Sequence, residues 1–391
     1  MRPRPAFPAE RIFLVRHAKA VGLAGLACAM LTLGVTAPAT AAEATRPRTG
    51  DVQKALSELA RSPEVLGAIG AVYVDGKRVD KGSGGTRLLD GKGGRIPAGA
   101  RFRIGSQTKS MTSAAIMKLV TEGEFDLDSK LSEVLPVVVE KDLVERADEI
   151  TVEQMIHHTS GIPNWYTPEL IDPFDFETRY TPMELITKSR TLPREQEPGE
   201  KFSYSNTNYY LLGLIIEKFT GQSLAAEFEE RFFEPLNMDD TYLPTRWPGS
   251  IKGPHGHGYF PGKNGELVDF DNQNMSYGYA AGGVISTADD LSAFHRAFAM
   301  DKILTKEEKE ALNAGRPSSE PDRAPNLDVC DDEGTYGHAK GSSYGFNALT
   351  FSTRDGSVQL IMSLTLATEH SDPAIDPLSK KAAEAVLCPE K

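Results

Sequence analysis

The sequence predicts an α+β fold in which an antiparallel β-sheet, built from both ends of the chain, is flanked by helices. Two observations predict it. β-Favouring runs lie near both chain ends, and each contains an Asp-Gly pair of the kind that closes a hairpin. Between them, over roughly 120–290, most apolar residues recur at helical spacing. We therefore expect a sheet made by the two termini and a mainly helical middle region.

The elements are predicted in chain order. Residues 70–79 alternate around Asp75-Gly76 and indicate a hairpin after a mixed leader at 42–56. Glycine-rich stretches at 82–85 and 91–95 indicate loops. A second hairpin joins 346–351 to 358–366 through Asp355-Gly356. Helical spacing predicts helices over 107–122, 151–158, 182–190, 208–220, 222–233, 287–299 and 377–387.

Composition excludes several classes of protein. The 391 residues are 40% hydrophobic and 25% charged, which is typical of a soluble globular protein and excludes a disordered chain, a collagen-like fibre and a polytopic membrane protein. The formal net charge is -12. Because an acidic surface repels phosphate backbones, we expect no nucleic-acid partner.

Residues 1–41 are predicted to be a secretory signal peptide. They carry five basic residues and one acidic residue, an apolar run over about 21–35 and the small-residue site Ala39-Thr40-Ala41. An anchoring helix is the alternative, but the run is shorter than the ~20 residues of a membrane span. A lipoprotein linked through Cys28 is a weaker one. We expect a secreted, extracytoplasmic protein without a membrane span after cleavage, and a single catalytic domain over 42–391.

The two remaining cysteines agree with export. Cys330 and Cys388 would most simply form one disulfide in an oxidising compartment, which adds roughly 4 kcal/mol for a loop of this length. Two buried free thiols are the alternative. No Cys/His pattern with zinc spacing occurs, and no clustered carboxylate or thiol completes a site around His255-Gly-His257, so no metal is expected.

Three short segments carry the candidate chemistry. In the first, Ser106 and Lys109 are three residues apart on a predicted helix and share one face. A serine at a helix N-terminus meets free N–H groups that stabilise an oxyanion, and a lysine with a lowered pKa could accept its proton. The alternative is a purely structural role for the pair, in which the serine caps the helix and the lysine is solvated.

The second and third segments follow in order. Tyr204 and Asn206 project to the same side of an extended turn, where the phenol can shuttle a proton and the amide can bind a substrate amide. His338 and Lys340 precede a predicted strand, whose edge offers N–H groups and positive charge to an oxyanion or a carboxylate. A helix cap with a packed tyrosine, and an ordinary glycine-rich turn, are the respective alternatives.

Together these segments resemble the serine β-lactamase and penicillin-recognising enzyme family, and most closely the secreted serine D-alanyl-D-alanine carboxypeptidases with the related class C β-lactamases and esterases. The resemblance implies a β-lactamase/transpeptidase-like fold and an acyl-enzyme mechanism without a cofactor. The matching segments begin, in order, at Phe102, Glu122, His158, Pro198, Ala281 and Tyr336.

The resemblance also implies roles for individual residues. Ser106 is the nucleophile, Lys109 and Tyr204 handle the proton, and which of the two is the base stays open. The implied substrate-binding residues are Asn206, His338, Gly341, Ser342, Tyr277 and Arg323. Gly341 or Ser342 would contribute to the oxyanion hole, Tyr277 an aromatic wall, and Arg323 a ligand for the substrate carboxylate. Because the third motif is one residue longer than His-x-Gly, it can also be aligned from Lys340 as Lys-Gly-Ser.

The predicted function is therefore that of a secreted serine D-Ala-D-Ala carboxypeptidase or transpeptidase, with a peptidoglycan stem peptide or a β-lactam as its small-molecule partner. A class C-like β-lactamase or esterase that uses the same serine is one alternative. A non-catalytic wall-peptide binding protein on the same fold is the other. We expect a monomer.

Overall fold

A computed structural model describes residues 47–244, 250–317, 327–330 and 336–389. The predicted signal peptide and Arg323 lie outside these residues. Residues from Pro47 onwards belong to one compact unit. Within the described ranges, no helix has both the length and the hydrophobicity needed to cross a membrane.

The central element is a five-stranded antiparallel sheet. The strands are β1 (Val65–Val74), β2 (Lys77–Gly85), β3 (Phe102–Arg103), β4 (Tyr259–Pro261), β5 (Leu267–Asp269), β6 (Ile285–Ser286), β7 (Tyr336–Ser343), β8 (Phe346–Thr353) and β9 (Val358–Leu366). The strand order is β2-β1-β9-β8-β7, and β3 with β6 and β4 with β5 form two small pairs. The sheet thus joins the first hairpin to the last three strands, which confirms the predicted architecture.

Helices cover both faces of the sheet. They are α1 (Val52–Leu59), α2 (Thr108–Thr121), α3 (Leu131–Val134), α4 (Val137–Glu140), α5 (Val152–Ile156), α6 (Pro182–Ser189), α7 (Asn206–Thr220), α8 (Leu224–Phe228), α9 (Tyr279–Gly282), α10 (Ala288–Ala299), α11 (Lys306–Ala314) and α12 (Ile375–Leu387). Alternate residues of β1 face opposite sides, so Ala68 and Val72 pack with α1 and α12, while Ile69 and Ala71 pack into the helical region. Because helices cover both faces, β1 is buried at all but one position and β9 along its whole length.

The predictions for two segments are wrong. The leader at 42–56 contains the start of α1, where Asp51 caps the helix by accepting from the Lys54 N–H at 2.8 Å. Residues 82–85 belong to β2 rather than to a loop. Their glycines serve close packing, because a Cβ at Gly84 would overlap the Leu56 carbonyl of α1.

Other differences concern the residues at which helices begin and end, and elements that were not predicted. The helix predicted over 222–233 begins at Leu224 and changes after Phe228 to a π-helical turn, Glu229–Phe233. The spacing of apolar residues predicts neither helix α11 nor strand β7. Cys330 and Cys388 form the predicted disulfide, with their Cα atoms 5.8 Å apart. This bond joins the segment at 327–330 to the end of α12.

Candidate active site

Ser106 lies on a tight turn that leads into α2. Residues Gly105–Gln107 form a 3₁₀ turn directly before α2. Gly105 has a φ of +53°, and a Cβ there would be 2.6 Å from the Ser342 backbone nitrogen. Only glycine fits this close approach of β7 without strain. The serine is therefore held between the N-terminus of α2 and β7.

Lys109 lies one turn further along α2 and is buried. Its Nζ is 3.3 Å from Ser106 Oγ, 2.9 Å from Asn206 Oδ1 and 2.6 Å from the Ala281 carbonyl oxygen. Burial lowers the pKa of Lys109, and Tyr204 opposes this shift. A neutral amine has two N–H groups and one lone pair. It could donate to Asn206 and Ala281 while its lone pair faces Ser106.

Tyr204 brings a second proton-carrying group to the same oxygen. It lies in the loop before α7, and its Oη is 2.9 Å from Ser106 Oγ. Lys109 Nζ is 5.0 Å from the centre of the Tyr204 ring, which is within cation–π range. The tyrosine is 43% exposed, so its hydroxyl is open to a bound substrate. Since both groups contact Ser106, geometry leaves either of them available as the base.

Asn206 is held in place by an asparagine that the sequence analysis missed. Asn206 is the first residue of α7, and its backbone N–H donates to Asn164 Oδ1 at 3.0 Å. Its side-chain amide lies 3.4 Å from the same oxygen. Asn164 is in a loop without periodic pattern, and Ala281 contributes only a backbone carbonyl. Asn164 therefore leaves no local signal, and the segment that begins at Ala281, although it matches the family, does not reveal that its carbonyl oxygen contacts Lys109.

Strand β7, at the edge of the described sheet, forms the other side of the site. His338, Lys340 and Ser342 occupy alternate positions of β7 and all line the cavity beside Ser106. A Cβ at Gly341 would overlap the Ile104 carbonyl and lie 2.8 Å from the Ser106 nitrogen. Gly341 and Ser342 thus lie against the turn that carries Ser106, as an oxyanion-hole strand would. The assignment of that role remains a prediction.

A cavity of about 590 Å³ extends from Ser106 along α2 towards α10 and α11. Its described lining residues include no aspartate or glutamate, and the lysines and arginines among them are Lys109, Arg316 and Lys340. Four histidines also line it: His157, His158, His295 and His338. Lys340 forms an ion pair with Asp376. The cavity is therefore rich in basic groups in a protein whose net charge is -12.

Tyr277 is not among the described residues that line this cavity. Tyr277 stacks on Tyr180 with ring centres 5.8 Å apart and also contacts Trp165 and Tyr166, outside the lining of the Ser106 cavity. Its predicted role as an aromatic wall for the substrate stays a prediction. Arg323 lies outside the described residues, so its predicted role is not tested. Among the described residues, Arg316, just after α11, is the arginine that lines the cavity.

One cluster has the composition of a metal site. Ligand atoms of His255, His257 and Asp271 lie within 4.8 Å of one another. Each imidazole, however, already contacts a carboxylate: His255 Nε2 lies 2.7 Å from Asp271 Oδ1, and His257 Nδ1 lies 2.7 Å from Asp269 Oδ2. These contacts account for the cluster as two His–Asp pairs, and we assign no metal to it.

Comparison with known proteins places these features in a family. The Beta-lactamase family model matches residues 52–384. Curated relatives include N-acetylmuramyl-L-alanine amidase of Bacillus subtilis (strain 168), 31% identical over 187 residues (45% of this chain and 42% of that protein). Penicillin-binding protein 4 of Amycolatopsis lactamdurans is 32% identical over 186 residues (48% and 47%). The matches thus span less than half the length of either relative.

A solved structure matches over most of the chain. The D-stereospecific amidohydrolase from a Streptomyces species is 25% identical and superimposes with a TM-score of 0.69, covering 87% of this chain and 98% of that one. The family match extends from α1 into α12 and includes all three sequence motifs. The chain therefore belongs to the β-lactamase family of serine penicillin-recognising proteins.

Proposed function

We propose that the protein is a serine D-Ala-D-Ala carboxypeptidase that works through an acyl-enzyme on Ser106. The observation that carries the proposal is the convergence of Lys109 and Tyr204 on Ser106 Oγ, at distances of 3.3 and 2.9 Å, beside a cavity lined by basic groups. Each part of the reaction has a corresponding group in the site.

Acylation begins with transfer of the Ser106 proton to Lys109, directly or through Tyr204. Ser106 Oγ then forms a bond to the carbonyl carbon of the penultimate D-alanine. The N–H groups of Ser106 and Ser342 would stabilise the negative charge that develops on the carbonyl oxygen. When the C–N bond breaks, the phenol of Tyr204 donates a proton to the leaving nitrogen and takes the proton held by Lys109 in return. Free D-alanine departs, and both side chains are back in their starting states. Tyr204 is exposed enough to reach that nitrogen.

Deacylation reverses these roles. Water, or the amine of a second peptide, attacks the acyl-enzyme carbonyl and restores the Ser106 hydroxyl. Water produces a shortened peptide, whereas an amine produces a cross-link. Both outcomes need the same base, so the site supports a carboxypeptidase and a transpeptidase equally.

The charge of the cavity favours a substrate with a free carboxylate. A D-Ala-D-Ala peptide has a carboxylate on its leaving residue, whereas a free amino-acid amide has an ammonium group. Arg316 lies along the cavity that extends from Ser106, where it would attract an anion, whereas the charge of Lys340 is already paired with Asp376. The relative named penicillin-binding protein 4 agrees with this substrate class. The Streptomyces relative, named a D-stereospecific amidohydrolase, suggests that the D-configuration next to the scissile bond is a shared preference.

The test is release of D-alanine from a stem pentapeptide. We expect the wild type to release one D-alanine per peptide, and Ser106→Ala to release none. Ser132→Ala, on α3 and outside the lining of the Ser106 cavity, is the matched control and should behave as wild type. If only D-amino-acid amides are hydrolysed, the carboxypeptidase proposal is wrong, although acyl transfer at Ser106 would survive.

Two alternatives are separated by the response to penicillin. A β-lactamase or esterase with the same serine would hydrolyse benzylpenicillin repeatedly, whereas a carboxypeptidase would remain acylated. A wall-peptide binding protein would bind the stem peptide but resist every acylating probe. The contacts of Lys109 with Ser106 and Asn206 favour a reactive serine over such a binding protein.

Export is also part of the proposal. The composition of residues 1–41 and the disulfide between Cys330 and Cys388 support it. The test is the N-terminal sequence of protein recovered from the culture medium of a secreting host, which should begin at residue 42. Protein that stays in the cells with residues 1–41 intact would contradict export.

A further inference from the structure

His158 is a buried histidine beside the site that the proposed reaction does not use. It follows α5 and has a φ of 55°, in the left-handed region that is uncommon for residues other than glycine, with asparagine, aspartate and histidine the most frequent exceptions. It is 6% exposed and lines the same cavity as Ser106. A histidine in this strained conformation needs an explanation.

The residue holds the backbone on both sides of Tyr204. Its carbonyl oxygen accepts from the Ser203 N–H at 2.8 Å, and its Nδ1 accepts from the Ser205 N–H at 3.1 Å. The left-handed turn at His158 presents its carbonyl and its ring to the same loop. The two neighbours of Tyr204 are thus bound to one residue.

The imidazole also packs directly on the tyrosine ring. The ring centres of His158 and Tyr204 are 4.4 Å apart, with the planes inclined by 33°. The rings of Tyr209 and Phe202 also lie next to the imidazole, with their centres 5.3 and 5.8 Å from its centre. Because Tyr204 is 43% exposed, few other groups restrict its position. The His158 ring supplies the surface against which it rests.

The contacts require a neutral imidazole with its proton on Nε2. Nδ1 faces two donors, the Ser205 N–H and the Asn208 side-chain amide at 3.4 Å, so it must act as an acceptor. Burial, together with the nearby Lys109 and His157, lowers the pKa of His158 to about 3. The acceptor therefore persists throughout the pH range in which a hydrolase of this kind would work.

We propose that His158 is a positioning residue that keeps the Tyr204 hydroxyl within hydrogen-bonding distance of Ser106, by anchoring the loop at Ser203 and Ser205 and supporting the tyrosine ring. The inference rests on the proposed acyl transfer only for its expected effect on the acylation rate. Its expected effect on the position of Tyr204 does not depend on that reaction. His158 does not exchange a proton with the substrate. Its effect passes entirely through Tyr204.

A double-mutant cycle tests this coupling. His158→Phe keeps a ring at the position but removes the acceptor for Ser205. We expect it to lower the rate constant for acylation by a fluorescent penicillin about 10–100-fold, without a comparable change in the concentration needed for half-saturation. In a Tyr204→Phe background, the same change should lower the rate less than about threefold, because the hydroxyl it positions is absent. Equal losses in both backgrounds would overturn the proposal.

His158→Asn is the conservative variant. Asparagine tolerates the left-handed conformation, and its Oδ1 can accept from the Ser205 N–H in place of Nδ1. We expect it to recover the part of the lost rate that depends on the anchor at Ser205, but not the part that depends on the ring beneath Tyr204. No recovery at all would contradict the anchoring role. Melting temperatures of all variants separate a folding defect from misplacement of Tyr204, since a purely structural role would lower stability and rate in both backgrounds alike.

A crystal structure of His158→Phe provides a readout that does not depend on activity. We expect the distance between Ser106 Oγ and Tyr204 Oη to exceed 3.5 Å, against 2.9 Å in the wild type. An unchanged distance would refute the positioning role. If wild-type protein were not acylated at all, the proposed function would fail, and this structure would still decide the role of His158.

Discussion

The hydroxyl oxygens of Ser106 and Tyr204 lie 2.9 Å apart although the two residues are separated by 98 positions in the sequence. The first is on the turn before α2 and the second on the loop before α7. Packing of α2 against α7 brings these two helix starts together, and Lys109 occupies the space between them. The chemistry proposed for the protein depends on this contact between distant segments.

Removal of the Tyr204 hydroxyl should slow acylation without unfolding the protein. In Tyr204→Phe, the group that returns a proton to the leaving nitrogen is lost, which typically lowers a rate about 10²–10⁴-fold. Because the side chain is 43% exposed, the melting temperature should change little. Stopped-flow acylation and calorimetry check the two parts separately. Unchanged acylation would exclude Tyr204 from proton transfer.

Lys109 should control the acidic limb of the pH–rate profile. Burial lowers its pKa, so a fraction of the amine is neutral at lower pH than for an ordinary lysine. As the pH falls, protonation removes the base and acylation slows. Lys109→Arg stays protonated at every accessible pH, and we expect acylation to be lost throughout. A variant that keeps the wild-type acidic limb would show that another group is the base.

Gly341 should tolerate no side chain. In Gly341→Ala, the new Cβ would overlap the Ile104 carbonyl and push β7 away from Ser106. We expect acylation to fall at least tenfold and the protein to lose about 1–3 kcal/mol of unfolding free energy. Gly337→Ala on the same strand is the matched control, because the nearest atom to its Cβ would be 3.8 Å away. Equal behaviour of the two variants would contradict this register of β7.

Arg316 should affect only substrates with a free carboxylate. In Arg316→Gln, we expect KM for a D-Ala-D-Ala peptide to rise about tenfold, as for the loss of one charge-assisted contact. KM for the same peptide with a C-terminal amide should stay constant. A parallel rise for both peptides would show that Arg316 does not recognise the carboxylate.

How far the sequence predicts this molecule depends on whether a signal is local. Asp75-Gly76 and Asp355-Gly356 predict both hairpins because turn chemistry is set by adjacent residues. The glycines at 82–85 wrongly predict a loop. They allow α1 to pack closely against β2, and α1 lies elsewhere in the sequence. The spacing of Ser106 and Lys109 predicts their shared face, but the support from Asn164, Ala281 and His158 arises only from tertiary contacts.

His158 should make the protein less stable in acid. Its pKa of about 3 lies below the ordinary value near 6.5, so the unfolded chain binds a proton between these pH values that the native state does not. Stability contributed by the neutral histidine is therefore present above pH 6.5 and lost as the pH falls. Between pH 7.5 and 5.5, His158→Asn should lose about 1 kcal/mol less than the wild type in urea unfolding. Identical losses would mean that His158 is not held neutral.

The central claim is that Ser106 is the nucleophile of an acyl-transfer reaction. Its most direct test is the intact mass of the protein after incubation with benzylpenicillin, followed by mapping of the modified peptide. We predict a gain of one penicilloyl group, located on Ser106 and absent from Ser106→Ala. An unmodified wild type, or an adduct of equal yield in Ser106→Ala, would contradict the account.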